Sequence, residues 1–479
     1  MNIDMTRFPL VATLALSLLA AASTSAHADF LFGRLTPAGG EADESSGAVD
    51  VSADGRTVVF SSDSKMWVGD TYNGTRAVAV DLDTGLVEAV SMSPQGLIRG
   101  EGPVVSGDGR YVAFLTYSSS YGTGWQVLRK DRQTGDLQLA SANAAGQAAD
   151  GGTNDNTASI SADGRYVAFQ ANSSNLPTAR VGLDAVPVPE GSSGEIYVKD
   201  MASGQLKVAS LKSDGSSSGG QCAMAPHALS VNGRYLIMRC VVAMVGGATS
   251  GQIYVRDLQA GTTELVSRSA SAPNGSSAFA YYPAISPGGR FVGFKAAGYG
   301  GLGYADGATI NGNSGVFLRD RQSGTTISIP RPALIPSDDY DSCSVSAISD
   351  VASVVLACYH NWTASARYPQ VFLFVPGAGA PELISPAANT AQPSNGSAGT
   401  TLAVNASGLS MAWESDASNI DPDDHNGKTD IFILADESMF TDIVFANGFE
   451  TVPAMRMAPE RKARVEPIRS GMSVAGDKR

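Results

Sequence analysis

The ten residues ISADGRYVAF, Ile160–Phe169, pass from an apolar start through a polar turn into an apolar run. The same sequence of polarity returns as VSADGRTVVF at Val51–Phe60, VSGDGRYVAF at Val105–Phe114 and ISPGGRFVGF at Ile285–Phe294. Asp-Gly between two short apolar runs predicts a β-hairpin, because Asp hydrogen-bonds the turn backbone and Gly accepts its positive φ. The turn glycine stands at Gly55, Gly109, Gly164, Gly233, Gly289 and Gly408, with Ala352 in a degraded copy, ISDVASVVLA, at Ile348–Ala357. These seven copies are spaced by 54, 55, 69, 56, 63 and 56 residues.

A second pattern follows most copies: VLRKDRQTGDLQLAS, IYVKDMASGQLKVAS, IYVRDLQAGTTELVS and VFLRDRQSGTTISIP. It reads as another hairpin, so each unit holds four short strands. Tyr166–Phe169 show little polar alternation, which predicts a strand covered on both faces. Such a sheet needs a like neighbour on each side. Seven of them close most naturally into a ring, an all-β, seven-bladed β-propeller of four-stranded antiparallel blades. The Gly/Ser/Asn-rich links at 142–157, 210–226 and 269–282 suit this, since a link from an outer to an inner strand crosses roughly 14 Å. Phe30–Leu35 stands where an outer strand belongs, and the last copy, Leu402–Leu434, supplies only three. The N-terminal strand is therefore expected to complete the last blade and lock the ring.

The chain start changes the compartment. Arg7, an apolar run from Phe8 to Ala22 and Ala26-His27-Ala28 predict a signal peptide over 1–28, with Asp29 the first mature residue. The propeller is expected over 29–440, a short segment over 441–450 and a disordered basic tail over 451–479. No other apolar run has transmembrane length. Export, to the periplasm or beyond the cell, makes the four cysteines disulfide candidates. Cys222 and Cys240 flank one hairpin turn and Cys343 and Cys358 another, which predicts the pairs Cys222–Cys240 and Cys343–Cys358.

The formal charge is −13, with 16% charged and 7% aromatic residues. An acidic surface repels phosphate, so nucleic acid is not an expected partner. A monomer is expected.

The motif S-x-D-G-R-[YF]-[VL]-x-F, followed by [IV]-[YF]-[VL]-[RK]-D and a T-G turn, resembles the WD-like β-propeller repeat of TolB-type proteins over about Phe30–Leu434. SDASNI at Ser415–Ile420, Asp424-His425-Asn426-Gly427 and DIFIL at Asp430–Leu434 resemble the units of exported bacterial repeat proteins. The resemblance implies a propeller that binds through its channel mouth and loops. The α/β domain that precedes the propeller in TolB, and the hydrolase domain of propeller peptidases, are not expected in this chain. DIVFANGFE, Asp442–Glu450, resembles a C-terminal signature of other exported proteins.

Candidate chemistry is sparse. The histidines, His27, His227, His360 and His425, show no zinc-ligand spacing. Gly215-Ser216-Ser217-Ser218-Gly219 matches G-x-S-x-G but lies in a link, without the strand and helix a nucleophile elbow needs. In DPDDHNGKTD, Asp421–Asp430, the residues Asp421, Asp424, Asn426 and Asp430 could gather oxygen ligands for Ca²⁺, with Asp423 as a further carboxylate. The same residues are also ordinary turn chemistry. Arg56, Arg110, Arg165, Arg234 and Arg290 recur once per unit, which points to structural pairing with Asp131, Asp200, Asp257 or Asp320. Tyr281, Tyr282, Tyr299 and Tyr304 could line a channel mouth and stack on sugars, or pack within loops. No catalytic residue is assigned. The expected function is non-catalytic binding of a protein, peptide or glycan. The alternatives are a glycan- or peptide-acting enzyme with its site at the channel, and a calcium-stabilised envelope protein.

Overall fold

Every Asp-Gly turn of the repeat joins two hydrogen-bonded strands in the computed structural model, which describes residues 2–6, 30–177, 194–268, 273–275, 279–297, 314–335, 343–363, 366–387 and 392–436. Six blades form from consecutive chain, each with strands a to d in order from the inside. The first has Ser46–Val51, Thr57–Ser62, Arg76–Asp81 and Val87–Ala89. Blades two to six begin at Glu101, Thr153, Cys222, Ala280 and Cys343. Blade seven takes strands a to c from Ala398–Val404, Ser410–Ser415 and Asp430–Asp436, and its strand d is Phe30–Thr36. The N-terminal strand thus closes the ring as expected, paired antiparallel with Phe30 opposite Asp436. Strand a of each blade touches strand a of the next, including blade seven against blade one.

Asn2–Thr6 pairs outside Phe30–Thr36 as a fifth strand. An outer strand leaves a free row of N–H and C=O groups that an extended segment can satisfy. The remainder of the expected leader, the segment Asp442–Glu450 and the tail lie outside the described residues.

The apolar run closing each first hairpin packs between blades. Phe60, Phe114, Phe169 and Phe294 are buried, and Met238 and Trp413 occupy the same place in blades four and seven. Burying each such side chain contributes about 1.5–3 kcal/mol, which explains why strand b is apolar on both faces. The serine closing the second hairpin has a separate task. Ser91, Ser141, Ser210, Ser267 and Ser385 each accept a hydrogen bond from an amide of strand c, at 2.9–3.1 Å. Ser141 and Ser385 donate in turn to buried Gln126 and Gln370, whose amides reach Ala149 and Gly396 in the following links. Polar groups buried under the long links are thereby satisfied.

Candidate functional site

The repeated arginines close the turn face. Arg110 donates to Asp131 at 3.0 and 2.6 Å, and Arg165–Asp200, Arg234–Asp257 and Arg290–Asp320 repeat the contact. Arg56 departs from the series and pairs with Asp83 at 2.9 Å. The Arg110, Arg165 and Arg290 guanidinium groups hold the carboxyls of Asp131, Asp200 and Asp320 well below the usual range. These arginines are engaged in the fold, as the once-per-blade recurrence implied.

The acidic run of blade seven converges on a residue that the sequence reading did not single out. Arg34, on the closing strand, is buried at 3% exposure. Its Nε donates to Asp421 at 2.8 Å, and Nη1 donates to Glu41 at 2.9 Å and Asp430 at 3.1 Å. Nη1 also lies 3.2 Å from Asp424 Oδ1, and Nη2 donates to the Asp423 carbonyl at 3.0 Å. Asn426 donates to Asp430 at 3.2 Å. Three of the four proposed calcium ligands therefore surround a guanidinium, and the fourth braces one of them. Among the described residues no set of three His, Cys, Asp or Glu side chains is arranged around an ion position. Burial pushes Asp430 up to about 6, against the pull of Arg34. Burial likewise raises Asp424. The signal that could have revealed Arg34 was its place as the one charge in the apolar strand FLFGRLT.

The central channel holds the second constellation. The pairing of strands a and b shifts register in all seven blades. At Ala48, His227 and Tyr282 the shift carries a left-handed residue, with φ of 51°, 52° and 48°. Non-glycine residues seldom hold such φ, and a bulge of this kind re-aims a side chain. His227 of blade four reaches across the axis and places Nδ1 3.6 Å from Asp50 Oδ1 of blade one. Asp50 also accepts from the Val51 amide at 2.7 Å and the Val105 amide at 2.8 Å. Burial raises its pKa, with His227 and these two amides opposing.

The pair divides the channel. On the turn side a cavity of about 90 Å³ is lined by Asp50, His227 and mainly aliphatic side chains. On the side of the long links a funnel of about 850 Å³ opens, with His227 at its floor. Blades four to six give the funnel Met224, Arg239, Tyr281, Tyr282, Lys295 and Tyr359, while blades seven, one, two and three give mostly small apolar residues. Arg239 Nε donates to the Ala280 carbonyl at 2.9 Å, and its guanidinium lies 4.5 Å from the Tyr281 ring centre. Tyr282 is 59% exposed and Tyr359 39%. Both expected disulfides are present, Cys222–Cys240 and Cys343–Cys358. They join strands a and b at the funnel end of blades four and six, beside Arg239 and Tyr359.

Of the aromatics expected at the mouth, Tyr281 and Tyr282 line it, and Tyr299 and Tyr304 lie outside the described residues. The G-x-S-x-G match is part of a link: Ser217 and Ser218 donate to buried Glu195. His425 sits at the edge of the Arg34 cluster, its amide donating to Glu41 at 2.8 Å. Asp50, His227, Arg239 and Lys295 carried no sequence signal, because none belongs to the repeat motif.

No family model and no curated protein matches the chain. Among solved structures it is similar to TolB from Acinetobacter baumannii, at 16% identity over 59% of this chain and 56% of that one, with a TM-score of 0.32. The putative TolB from Agrobacterium tumefaciens matches at 16% identity over 60% and 80%, with a TM-score of 0.34. The β-propeller domain of the trilobed protease from Pyrococcus furiosus matches at 10% identity over 85% and 100%, with a TM-score of 0.49. The chain thus spans little more than half the length of the A. baumannii protein. No helix among the described residues is long and apolar enough to cross a membrane. By its seven four-stranded blades the chain is a seven-bladed β-propeller, whose repeat resembles that of TolB-type proteins.

Proposed function

We propose that the protein is an exported binding module that receives a protein, peptide or glycan ligand at the wide mouth of its channel. The observation that carries this reading is the funnel of about 850 Å³, where exposed tyrosines and two cationic side chains stand on one arc of the rim. A concave site with apolar walls and a few polar groups is the usual form of a ligand pocket. Two disulfides support an oxidising compartment, periplasmic or extracellular. The test compares the mature chain with an Arg239→Ala/Tyr282→Ala variant for what each retains from an envelope extract. A component held by the wild type and lost by the variant supports the reading. Identical retention by both sinks it.

One observation favours an enzyme instead. Asp50 and His227 form an acid–base pair, with His227 at the funnel floor and Asp50 in the small cavity beneath it, and burial has raised the pKa of that carboxyl. Turnover of a polysaccharide or peptide that disappears in Asp50→Asn would establish that alternative.

A further inference from the structure

The funnel is electrostatically at odds with the rest of the molecule. The chain carries a formal charge of −13, yet among the described residues no Asp or Glu lines the funnel, whose lining includes Arg239 and Lys295. Arg239 is oriented by the Ala280 carbonyl and by the Tyr281 ring, and it pairs with no carboxylate among the described residues. A guanidinium so placed offers its terminal N–H groups as a preformed fork for a carboxylate. Beside it Phe279, Tyr281 and Tyr282 form a row, with ring centres 6.2 and 6.3 Å apart along the chain. Phe279 and Tyr282 are exposed, and Tyr282 holds its position through a left-handed backbone. Strain of that kind persists where the surrounding structure enforces it. The disulfides fix Cys240 next to Arg239 and Cys358 next to Tyr359, so the hairpins on either side of blade five are stapled at the rim. Pre-organisation of this kind lowers the ordering cost of binding.

We infer that this arc binds an acidic oligosaccharide, with a uronate carboxylate held by Arg239 and the sugar faces stacked on Tyr281 and Tyr282. The inference rests on the reading of the mouth as the ligand site and specifies its ligand class. Open rings in a row suit the flat, partly apolar faces of successive sugars, whereas an apolar peptide side chain calls for a closed socket. Single-stranded nucleic acid also uses rings and cations, but it needs a positive groove along its backbone, and this chain is acidic outside the funnel.

The test measures binding of the full mature chain to a panel of oligouronates, built from mannuronate, guluronate, galacturonate or glucuronate, and to their carboxyl-reduced neutral counterparts. Poly-glutamate peptides form the third arm. The expected result is binding to at least one oligouronate, with affinity lower by about tenfold or more after carboxyl reduction and in Arg239→Gln. Tyr282→Ala is expected to weaken the acidic and neutral forms alike. Each variant is first shown to melt as the wild type does, and Arg239→Lys, which keeps the charge, serves if Arg239→Gln does not fold. Equal binding of acidic and neutral sugars that Tyr282→Ala abolishes overturns the acidic ligand and leaves the mouth as the site. Oligouronate binding that no rim variant alters overturns the mouth itself. Binding of poly-glutamate alone, or of nothing in the panel, overturns the ligand class.

Discussion

Gly164 of blade three lies against the ring of Tyr111 of blade two, so closely that a Cβ at residue 164 would overlap that ring. Gly233 meets Tyr166 and Gly289 meets Tyr235 in the same way. The guanidinium groups of Arg110 and Arg129 stand 4.8 and 4.5 Å from the Tyr111 ring centre, and Arg129 donates to the Gly164 carbonyl. The repeated Asp-Gly-Arg-Tyr is therefore a turn and an inter-blade joint together. Gly164→Ala combines a left-handed φ of 67° with an overlap. It is expected to cost about 2–5 kcal/mol, as the sum of the backbone and overpacking terms. Gly135 has a similar φ of 79° but open space around it, so Gly135→Ala should cost only about 1 kcal/mol. Urea unfolding of both, with Tyr111→Ala added to relieve the overlap at 164, checks the difference. Equal losses at the two glycines would refute the joint.

Arg34 contacts four carboxyl groups at the seam where the two ends of the propeller meet. Arg34→Met should destabilise by about 3–5 kcal/mol, because it leaves buried negative charge without a partner. With the guanidinium in place, the wild-type melting temperature is expected to be indifferent to calcium and to chelator. A chelator-induced fall in that temperature would support the calcium reading of Asp421, Asp424, Asn426 and Asp430.

The same seam sets a pH dependence. Asp430 keeps its proton up to about pH 6 in the folded state, against an ordinary value of 3.8. Between those values the folded protein binds more protons than the unfolded chain, so stability falls as pH rises through the window. Burial shifts Asp50, Asp424 and Glu414 in the same direction. The depressed carboxyls Asp131, Asp200 and Asp320 act oppositely, but their contribution is lost only as pH falls below about 4, through the unfolded and then the folded values. Chemical denaturation at pH 5 and pH 7 should show greater stability at pH 5. The slope should flatten in Asp430→Asn, and a slope of the opposite sign would contradict the assignment.

The disulfides close loops with sequence separations of 18 and 15 residues. Loop-closure entropy assigns each about 3 kcal/mol. Reduction should lower the melting temperature, and hydrogen exchange should rise first at the funnel ends of blades four and six. Exchange rising instead across the turn face would place the weak point elsewhere.

Much of the architecture was legible because a propeller repeats its local chemistry. The turn at Gly164, the buried Phe169, the Arg165–Asp200 pair and both cystine pairs each lie within one blade or one motif. Polarity pattern and sequence spacing suffice where partners are brought together by a hairpin. Even the closing role of Phe30–Leu35 followed from counting strands.

The candidate site was largely illegible, for a reason of geometry. Asp50 and His227 stand three blades apart around the ring and meet only because the inner strands converge on one axis. Arg34 finds Asp421 across 387 positions of chain once the last blade closes. The amino-acid sequence by itself determined the strands, the turns and the number of blades, since these follow from local hydrogen bonding and from apolar faces that need cover. Which side chains share the channel, and that a guanidinium sits among the blade-seven carboxylates, was decided by closure of the ring, which places residues by angle around an axis and not by distance along the chain.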